Sequence, residues 1–364
     1  MKICDYCGRE SPDNALFCRE CGTESFKRVG PVTEVPNTIQ GSERPQPDTA
    51  LSGSLRSQAS VYSKHMPSIQ GFCRPRWNAI AEAIEQVPEP ERRSEWEAVS
   101  RQWVERLRDE LDSRYRVYET ANFLILTEAP ERIGRDACRS YEAALKGILT
   151  QLEGLARDEG FGKHVVVMFG TQEDYYRYIS YFHEEGQHPM SGGVCLTGDG
   201  YRHFAFPTTD FSTYRTVLIH ELTHGCLAHL PIPLWINEAL AMRMEQVLGN
   251  PGTYSLNQED FERHLNYWNA DSIQQFWSGE SWGIPGDSFQ LSYGLARILW
   301  RKIEVDIGAS REAILEFVRT ASFEGGGEAA CKACFGFSLA DLAKGFLGTG
   351  DWAPKPQERA NQRI

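Results

Sequence analysis

The residues most able to do chemistry lie in one stretch, where two histidines flank a glutamate. The stretch is His220-Glu221-Leu222-Thr223-His224, which matches the pattern H-E-x-x-H. On a helix, residues four positions apart share one face, so the two histidines could bind the same metal ion. Glu221 directly follows the first histidine, where its carboxylate could accept a proton from a water molecule. The pattern therefore predicts a helical metal site with a hydrolytic glutamate.

A second glutamate stands where a third ligand could come from the next helix. Thirteen residues separate His224 from Glu238, which heads another apolar, helix-like run. His229 lies five positions after His224, about 140° around a helix, so we interpret it as a non-ligand. Two histidines, one glutamate and a water form a known catalytic zinc set. The residues thus favour Zn²⁺ at His220, His224 and Glu238, and a pair of hydrogen-bonded core histidines is the alternative.

Four cysteines near the N-terminus form two C-x-x-C pairs. Ten residues separate the first pair, Cys4 and Cys7, from the second pair, Cys18 and Cys21. Four thiolates at this spacing are typical of a structural tetrahedral zinc site. The segment resembles the short zinc-ribbon modules at the N-terminus of many bacterial proteins. We therefore expect residues 1–28 to be a zinc ribbon that its metal stabilises. This ribbon either contacts a protein partner or is a purely structural cap.

The charge balance and the apolar runs limit the classes of partner. The chain has 50 acidic and 38 Lys or Arg residues, a net charge of −12. This excess of negative charge argues against a nucleic-acid binder and against binding to an anionic membrane surface. No apolar run reaches the roughly 18 residues of a membrane-spanning helix, and the first residues lack the apolar core of a signal peptide. We expect a cytoplasmic protein with no nucleic-acid or membrane partner.

Composition also predicts the domain boundaries. Residues 29–70 are rich in Pro, Ser, Gly and Gln, which is typical of a flexible linker. Tyr62 and Met66, near its end, are expected to begin docking on the next domain. The catalytic domain is predicted at 71–350, helical from about 234, and a disordered tail at 351–364.

Periodicity predicts strands before the metal helix and helices after it. Helices are expected at 77–84, 90–112, 131–157 and 172–182; strands are expected within 115–127, at 165–169 and in a hairpin over 191–206. This order is typical of an α+β fold. The hairpin is predicted at the edge of the sheet, where it could hold an extended peptide by strand addition.

From about Tyr115 to Leu299 the sequence resembles the peptidase MA-like family of gluzincin metallopeptidases. The resemblance is carried by the strand pair, the Val-rich strand, the edge hairpin, H-E-L-T-H and the run P-L-W-I-N-E-A-L-A, in which Ala239 stands where the family more often has glycine. It implies a zincin-like fold, one catalytic Zn²⁺ on the three ligands named above, and Glu221 as the general base. The implied activity is hydrolysis of a peptide or protein substrate.

The resemblance also suggests a donor for the oxyanion of the transition state. Tyr293 is similar to the family's helical tyrosine that faces the zinc, with a buried core tyrosine as the other interpretation. His203 on the predicted edge hairpin is the competing donor. No G-x-M-E-N motif of the aminopeptidase relatives is present, which favours an endopeptidase.

Two alternatives stay open from the sequence. The first is a catalytically silent peptidase fold that acts as a binding or regulatory module through its zinc ribbon. The second concerns Cys331 and Cys334, which could form half of another zinc site or a redox pair, or have neither function.

Overall fold

The chain has an α+β fold, as the order of its elements predicts. In the computed structural model, the described residues are 62–182, 192–198, 201–207, 211–249, 256–284 and 286–355, with the backbone of three short strands near the N-terminus. Two compact units are present. The sheet unit consists of Met1–Glu142 and Gly160–Tyr214, and the helical unit of Ala143–Glu159 and Arg215–Ile364.

The three N-terminal strands form a small antiparallel sheet. They are β1 (Lys2–Cys4), β2 (Glu10–Ser11) and β3 (Phe26–Lys27), with β1 in the centre. Cys4 lies in β1, and Cys7, Cys18 and Cys21 lie outside the described residues. The zinc site of the ribbon therefore stays a prediction.

A five-stranded sheet forms the middle of the sheet unit. After a two-stranded ribbon of β4 (Ser68–Ile69) and β5 (Phe72–Cys73) come β6 (Arg116–Glu119), β7 (Phe123–Thr127), β8 (His164–Phe169), β9 (Val194–Gly198) and β10 (Tyr201–Pro207). The order is β6-β7-β8-β10-β9, with the three central strands parallel and the two edge strands antiparallel to their neighbours. The predicted hairpin and its edge position are confirmed, although its turn at 199–200 lies outside the described residues.

Four helices begin within the sheet unit before the hairpin. They are α1 (Trp77–Glu85), α2 (Glu89–Leu111), α3 (Glu131–Gln151) and α4 (Gln172–Ile179). The prediction that the third helix runs to residue 157 is wrong. The helix ends at Gln151, and the turn that follows contains Gly154 at φ +89°, a conformation that favours glycine and stops a helix.

Aromatic rings make the core of the sheet unit. Trp77 stacks on Tyr201 with ring centroids 3.6 Å apart, and Trp103 packs edge-on against both rings. Tyr62 and Met66 are also buried here, and the Tyr62 hydroxyl donates a hydrogen bond to Glu95 Oε2 at 3.1 Å. The last residues of the predicted linker, 62–70, thus contribute to this core.

From Leu234 onward the described residues of the helical unit are nearly all helical. Its helices are α5 (Phe211–Leu227, whose first turn belongs to the sheet unit), α6 (Leu234–Met244), α7 (Gln258–Tyr267), α8 (Ser272–Ser278), α9 (Asp287–Arg301), α10 (Arg311–Thr320), α11 (Glu328–Phe335) and α12 (Leu339–Leu347). Two π-turns, Glu245–Gly249 and Lys302–Asp306, extend α6 and α9.

The core of the helical unit forms around α6. Trp235 is fully buried, and its ring packs near the rings of Phe276 and Phe317. Both α5 and α6 are apolar on most of their circumference, which is typical of helices enclosed by others.

The predicted C-terminal tail is partly packed. The Trp277 indole N–H donates to the Trp352 carbonyl at 3.0 Å, so residues 351–355 continue the structure; 356–364 lie outside the described residues.

No helix within the described ranges is both long and apolar enough to cross a membrane.

The burial of Met66 gives a test of where the folded core begins. Met66 is 1% exposed, so Met66→Ala should lower the free energy of unfolding by about 2–5 kcal/mol through lost burial and a cavity. Chemical denaturation followed by tryptophan fluorescence measures this change. Lys64→Ala, at an exposed neighbour, is the control and should change stability by less than about 0.5 kcal/mol. Equal, small effects of both substitutions would place Met66 outside the cooperative core.

Candidate metal centre

Two consecutive helices of the helical unit build the site. His220 and His224 lie one turn apart on α5, and Glu238 lies in the second turn of α6. Pro233 is the N-cap residue of α6, and its fixed φ of −56° directs the chain into the new helix. Because these helices are mostly apolar, His220 and Glu238 are enclosed, each 7% exposed, and His224 is half-buried, with 21% of its side chain exposed.

Three ligand atoms from these residues converge on one point. The His220 and His224 Nε2 atoms are 2.9 Å apart, and Glu238 Oε2 lies 3.2 Å from the first and 3.6 Å from the second. A tetrahedral Zn²⁺ with bonds of 2.0–2.1 Å would separate its ligand atoms by about 3.3 Å. The observed triangle brackets this value. Among the described residues, this is the one cluster of three His, Cys, Asp or Glu side chains with such spacing.

The other ring nitrogen of each histidine faces an oxygen. His220 Nδ1 lies 2.5 Å from Glu245 Oε1, and His224 Nδ1 lies 3.0 Å from Asn237 Oδ1. A neutral imidazole that donates its Nδ1 proton has a lone pair on Nε2. These contacts therefore select the tautomer that a metal ligand needs, with the Nε2 lone pairs directed into the triangle.

This arrangement is unfavourable without a cation. Two Nε2 lone pairs and a carboxylate oxygen are all acceptors, and buried acceptors that face each other repel. Glu238 Oε2 has no satisfactory hydrogen-bond partner among the described residues although it is completely enclosed. A bound divalent metal would satisfy all three atoms, so the donor set, its spacing and the unsatisfied oxygen fit Zn²⁺.

The acid–base properties of the three residues reflect the same need for positive charge. Burial lowers the pKa of His220, but the adjacent carboxylates of Glu238 and Glu245 outweigh it and raise that pKa well above the ordinary value. Burial likewise lowers the pKa of His224, and the Glu238 charge reverses the effect. For Glu238, burial raises the pKa, but the two imidazoles hold it well below the usual range. A metal ion would compete with protons for these sites.

The two residues predicted to act on substrate are found in the same unit. Glu221 is partly buried on α5, and its charge contributes to the raised pKa of His224, which places the carboxylate within electrostatic reach of the cluster. Tyr293 on α9 has its ring centroid 6.4 Å from that of His220. The rings of Phe289 and Trp282 pack against Tyr293 at 5.0 and 6.2 Å and restrict its orientation.

His203, the competing oxyanion donor, is enclosed in the core of the sheet unit. It is 1% exposed, its Nε2 is 2.8 Å from the Tyr178 hydroxyl, and Trp103 packs against its ring. Burial lowers its pKa to about 3, so the imidazole is neutral at physiological pH. These contacts are those of a core histidine.

Cys331 and Cys334 lie on α11 and belong to no metal cluster of the described residues. Cys331 is fully buried, and burial raises the pKa of its thiol to about 12. A thiol that stays protonated is a poor redox or metal-binding group. The structure thus gives no support to the redox or zinc interpretation of this pair.

The supporting residues Asn237 and Glu245 were not predicted, although the sequence contains a signal for both. Asn237 directly precedes the third ligand. Glu245 follows Glu238 by seven positions, which is close to two full helical turns and therefore on the same face.

The geometry predicts that zinc stabilises the protein through Glu238. At a free Zn²⁺ concentration 100 times the Kd, the wild type should gain about 2.7 kcal/mol relative to its metal-free form. Glu238→Ala, measured against its own metal-free form, should lose this gain, while Glu259→Ala at an exposed position should keep it. Thermal unfolding with and without Zn²⁺ gives the comparison. All three proteins keep the ribbon cysteines, so any zinc bound by the ribbon contributes equally to each. An undiminished gain in Glu238→Ala would remove this residue from the site.

The chain matches no protein-family model, and no curated protein matches it. The resemblance to the gluzincins therefore depends on the motif residues themselves, and the function has to be inferred from the site.

Proposed function

We propose that this protein is a zinc-dependent peptidase with His220, His224 and Glu238 as its metal ligands. One observation carries the proposal: acceptor atoms of the buried His220 and Glu238 and of the half-buried His224 form a triangle with sides of 2.9–3.6 Å. In addition, each imidazole is oriented by a second contact that favours the tautomer a metal requires. Zinc held by two histidines and one glutamate is typical of hydrolytic sites.

Glu221 is the general base in this proposal. When bound, Zn²⁺ would lower the pKa of a water molecule and polarise the scissile carbonyl. The Glu221 carboxylate accepts the proton of the attacking water and returns it to the leaving amine. Its place next to a ligand on the same helix supports this role, because the helix fixes the distance between the base and the ligands.

Tyr293 donates a hydrogen bond to the oxyanion that forms on the attacked carbonyl. A donor held by packing gives more stabilisation than a mobile one, because it is oriented before the charge develops. The rings of Phe289 and Trp282 provide that packing. The burial of His203 in the other core supports Tyr293 over the competing donor.

The remaining parts of the proposal concern fold and substrate. The sheet with its three parallel central strands and the two helices that carry the proposed ligands support a zincin-like fold. The missing G-x-M-E-N motif supports an endopeptidase acting on peptides or proteins. The three short strands at the N-terminus support a ribbon in which Cys4, Cys7, Cys18 and Cys21 bind a structural zinc and which contacts a protein partner.

Replacement of Glu221 tests the proposed activity. Glu221→Gln retains the shape of the side chain but cannot accept the proton, so cleavage of casein should fall by about 10²–10⁴-fold at unchanged zinc content. The matched control, Glu259→Gln at an exposed position of the same unit, should cleave at the wild-type rate.

Equal cleavage by Glu221→Gln and the wild type would contradict the mechanism. Absence of cleavage by every form, with a broad peptide library as substrate, would instead favour a silent peptidase fold that acts as a binding module.

A further inference from the structure

The two histidines of the metal triangle are supported by chemically different partners. His220 Nδ1 faces the carboxylate of Glu245 at 2.5 Å, whereas His224 Nδ1 faces the neutral amide of Asn237 at 3.0 Å. Both partners come from α6 or its continuation. An amide oxygen orients an imidazole, and a carboxylate also increases the electron density on the opposite nitrogen. The support of His220 is therefore the stronger one.

The carboxylate of Glu245 has no other cation among the described residues. Its side chain is 13% exposed, and in that part of the chain its ion-pair partner is His220. The nearest arginine in sequence, Arg243, pairs with Glu304 at 2.9 Å instead. A carboxylate with so little exposure and without a lysine or arginine is costly unless another positive charge compensates it. The compensating charge must come through His220.

The backbone at Glu245 is specialised. Regular α-helix ends at Met244, and a π-turn begins at Glu245 and continues to Gly249. Short π-helical segments of this kind are rare overall, and many of those known lie at functional sites. The position seven residues after Glu238 keeps Glu245 on the ligand-bearing face, so one helix presents a metal ligand and the carboxylate that supports another ligand.

We propose that Glu245 is the positioning residue of the metal centre, which fixes the tautomer of His220 and strengthens it as a metal ligand. This inference rests on the proposed function only in that the triangle binds a metal. It adds that the charge of Glu245, and not only its hydrogen bond, sets the affinity. The full site then has two carboxylates: Glu238 would bind the metal, and Glu245 contacts the Nδ1 atom of His220. Their combined charge of about −2 matches that of a divalent cation.

Metal affinity measured without any substrate tests the inference. The full chain is titrated with Co²⁺ in competition with a chromophoric chelator, because the absorption of Co²⁺ at a His and Glu site lacks the sulfur charge-transfer bands of a cysteine site. Glu245→Gln, which keeps the shape and an acceptor oxygen, should bind Co²⁺ about 10-fold more weakly than the wild type. Glu245→Ala, which loses both contacts, should bind about 100-fold more weakly. Both should also shift the visible Co²⁺ bands, because the His220 ligand changes.

Glu304→Gln is the matched control. It breaks the ion pair with Arg243 at the end of the same helix but leaves His220 untouched, so its Co²⁺ affinity should equal that of the wild type. If the loss of any carboxylate charge near the end of this helix weakened Co²⁺ binding, Glu304→Gln would bind as weakly as Glu245→Gln. That result would overturn the inference. Co²⁺ affinity of Glu245→Gln within twofold of the wild type, with unchanged bands, would overturn it as well.

The failure of the proposed metal site is distinguishable from this result. If the wild type and His220→Ala show the same sulfur-free Co²⁺ bands, no metal binds at the triangle, and the proposed function fails together with the role of Glu245. If His220→Ala abolishes these bands and Glu245→Gln leaves affinity unchanged, the metal site stands and only the role of Glu245 is rejected.

Discussion

Three acceptor atoms that face one point, two of them on buried side chains, are the constraint on which the candidate site depends. The Nε2 atoms of His220 and His224 and the Oε2 atom of Glu238 repel one another unless a cation lies between or upon them. In an enclosed environment of low dielectric constant this repulsion is large, and so is the stabilisation from a bound cation. The apolar surfaces of α5 and α6 increase both effects because they exclude water. Packing and electrostatics would thus act together to favour the cation that we propose for this site.

The pairing of α5 with α6 explains how the chain keeps these atoms in register. Asn237, at the start of α6, contacts His224 near the end of α5, and Glu245, just beyond the end of α6, contacts the earlier His220. The two helices therefore run antiparallel along the site. Each histidine is held by its helix backbone and by the contact of its Nδ1 atom, so its orientation does not depend on a metal alone. A site prepared in this way loses little conformational entropy when it binds an ion.

Local periodicity explains what the sequence could predict. His220 and His224 belong to one helix, and the position of Glu238 at the head of the next requires only that a short loop reverses the chain. The α+β order and the edge hairpin follow from similarly local patterns. Glu245 was accessible by the same reasoning, since it follows Glu238 by about two helical turns and so shares its face. Asn237 is the neighbour of Glu238 and points about 100° away around the helix, so only its observed contact with His224 reveals its role.

Long-range packing explains what the sequence could not predict. Met66 lies in a stretch of linker-like composition, and its burial depends on an aromatic core assembled from residues more than a hundred positions away, such as Tyr201. The early end of α3 depends on one glycine, Gly154, whose left-handed conformation interrupts an otherwise helical pattern. The enclosure of His203 by Tyr178 and Trp103 likewise arises from the order of strands and helices, which no short motif encodes.

We propose that a metal, and not a shared proton, holds the triangle together. An anomalous-difference map at the zinc absorption edge, from crystals of the full chain grown with Zn²⁺, tests it most directly. We expect a peak about 2.0–2.1 Å from the Nε2 atoms of His220 and His224 and from a carboxylate oxygen of Glu238. The proposal would be contradicted by a map without a peak at this position, in which the two imidazoles hydrogen-bond directly to each other.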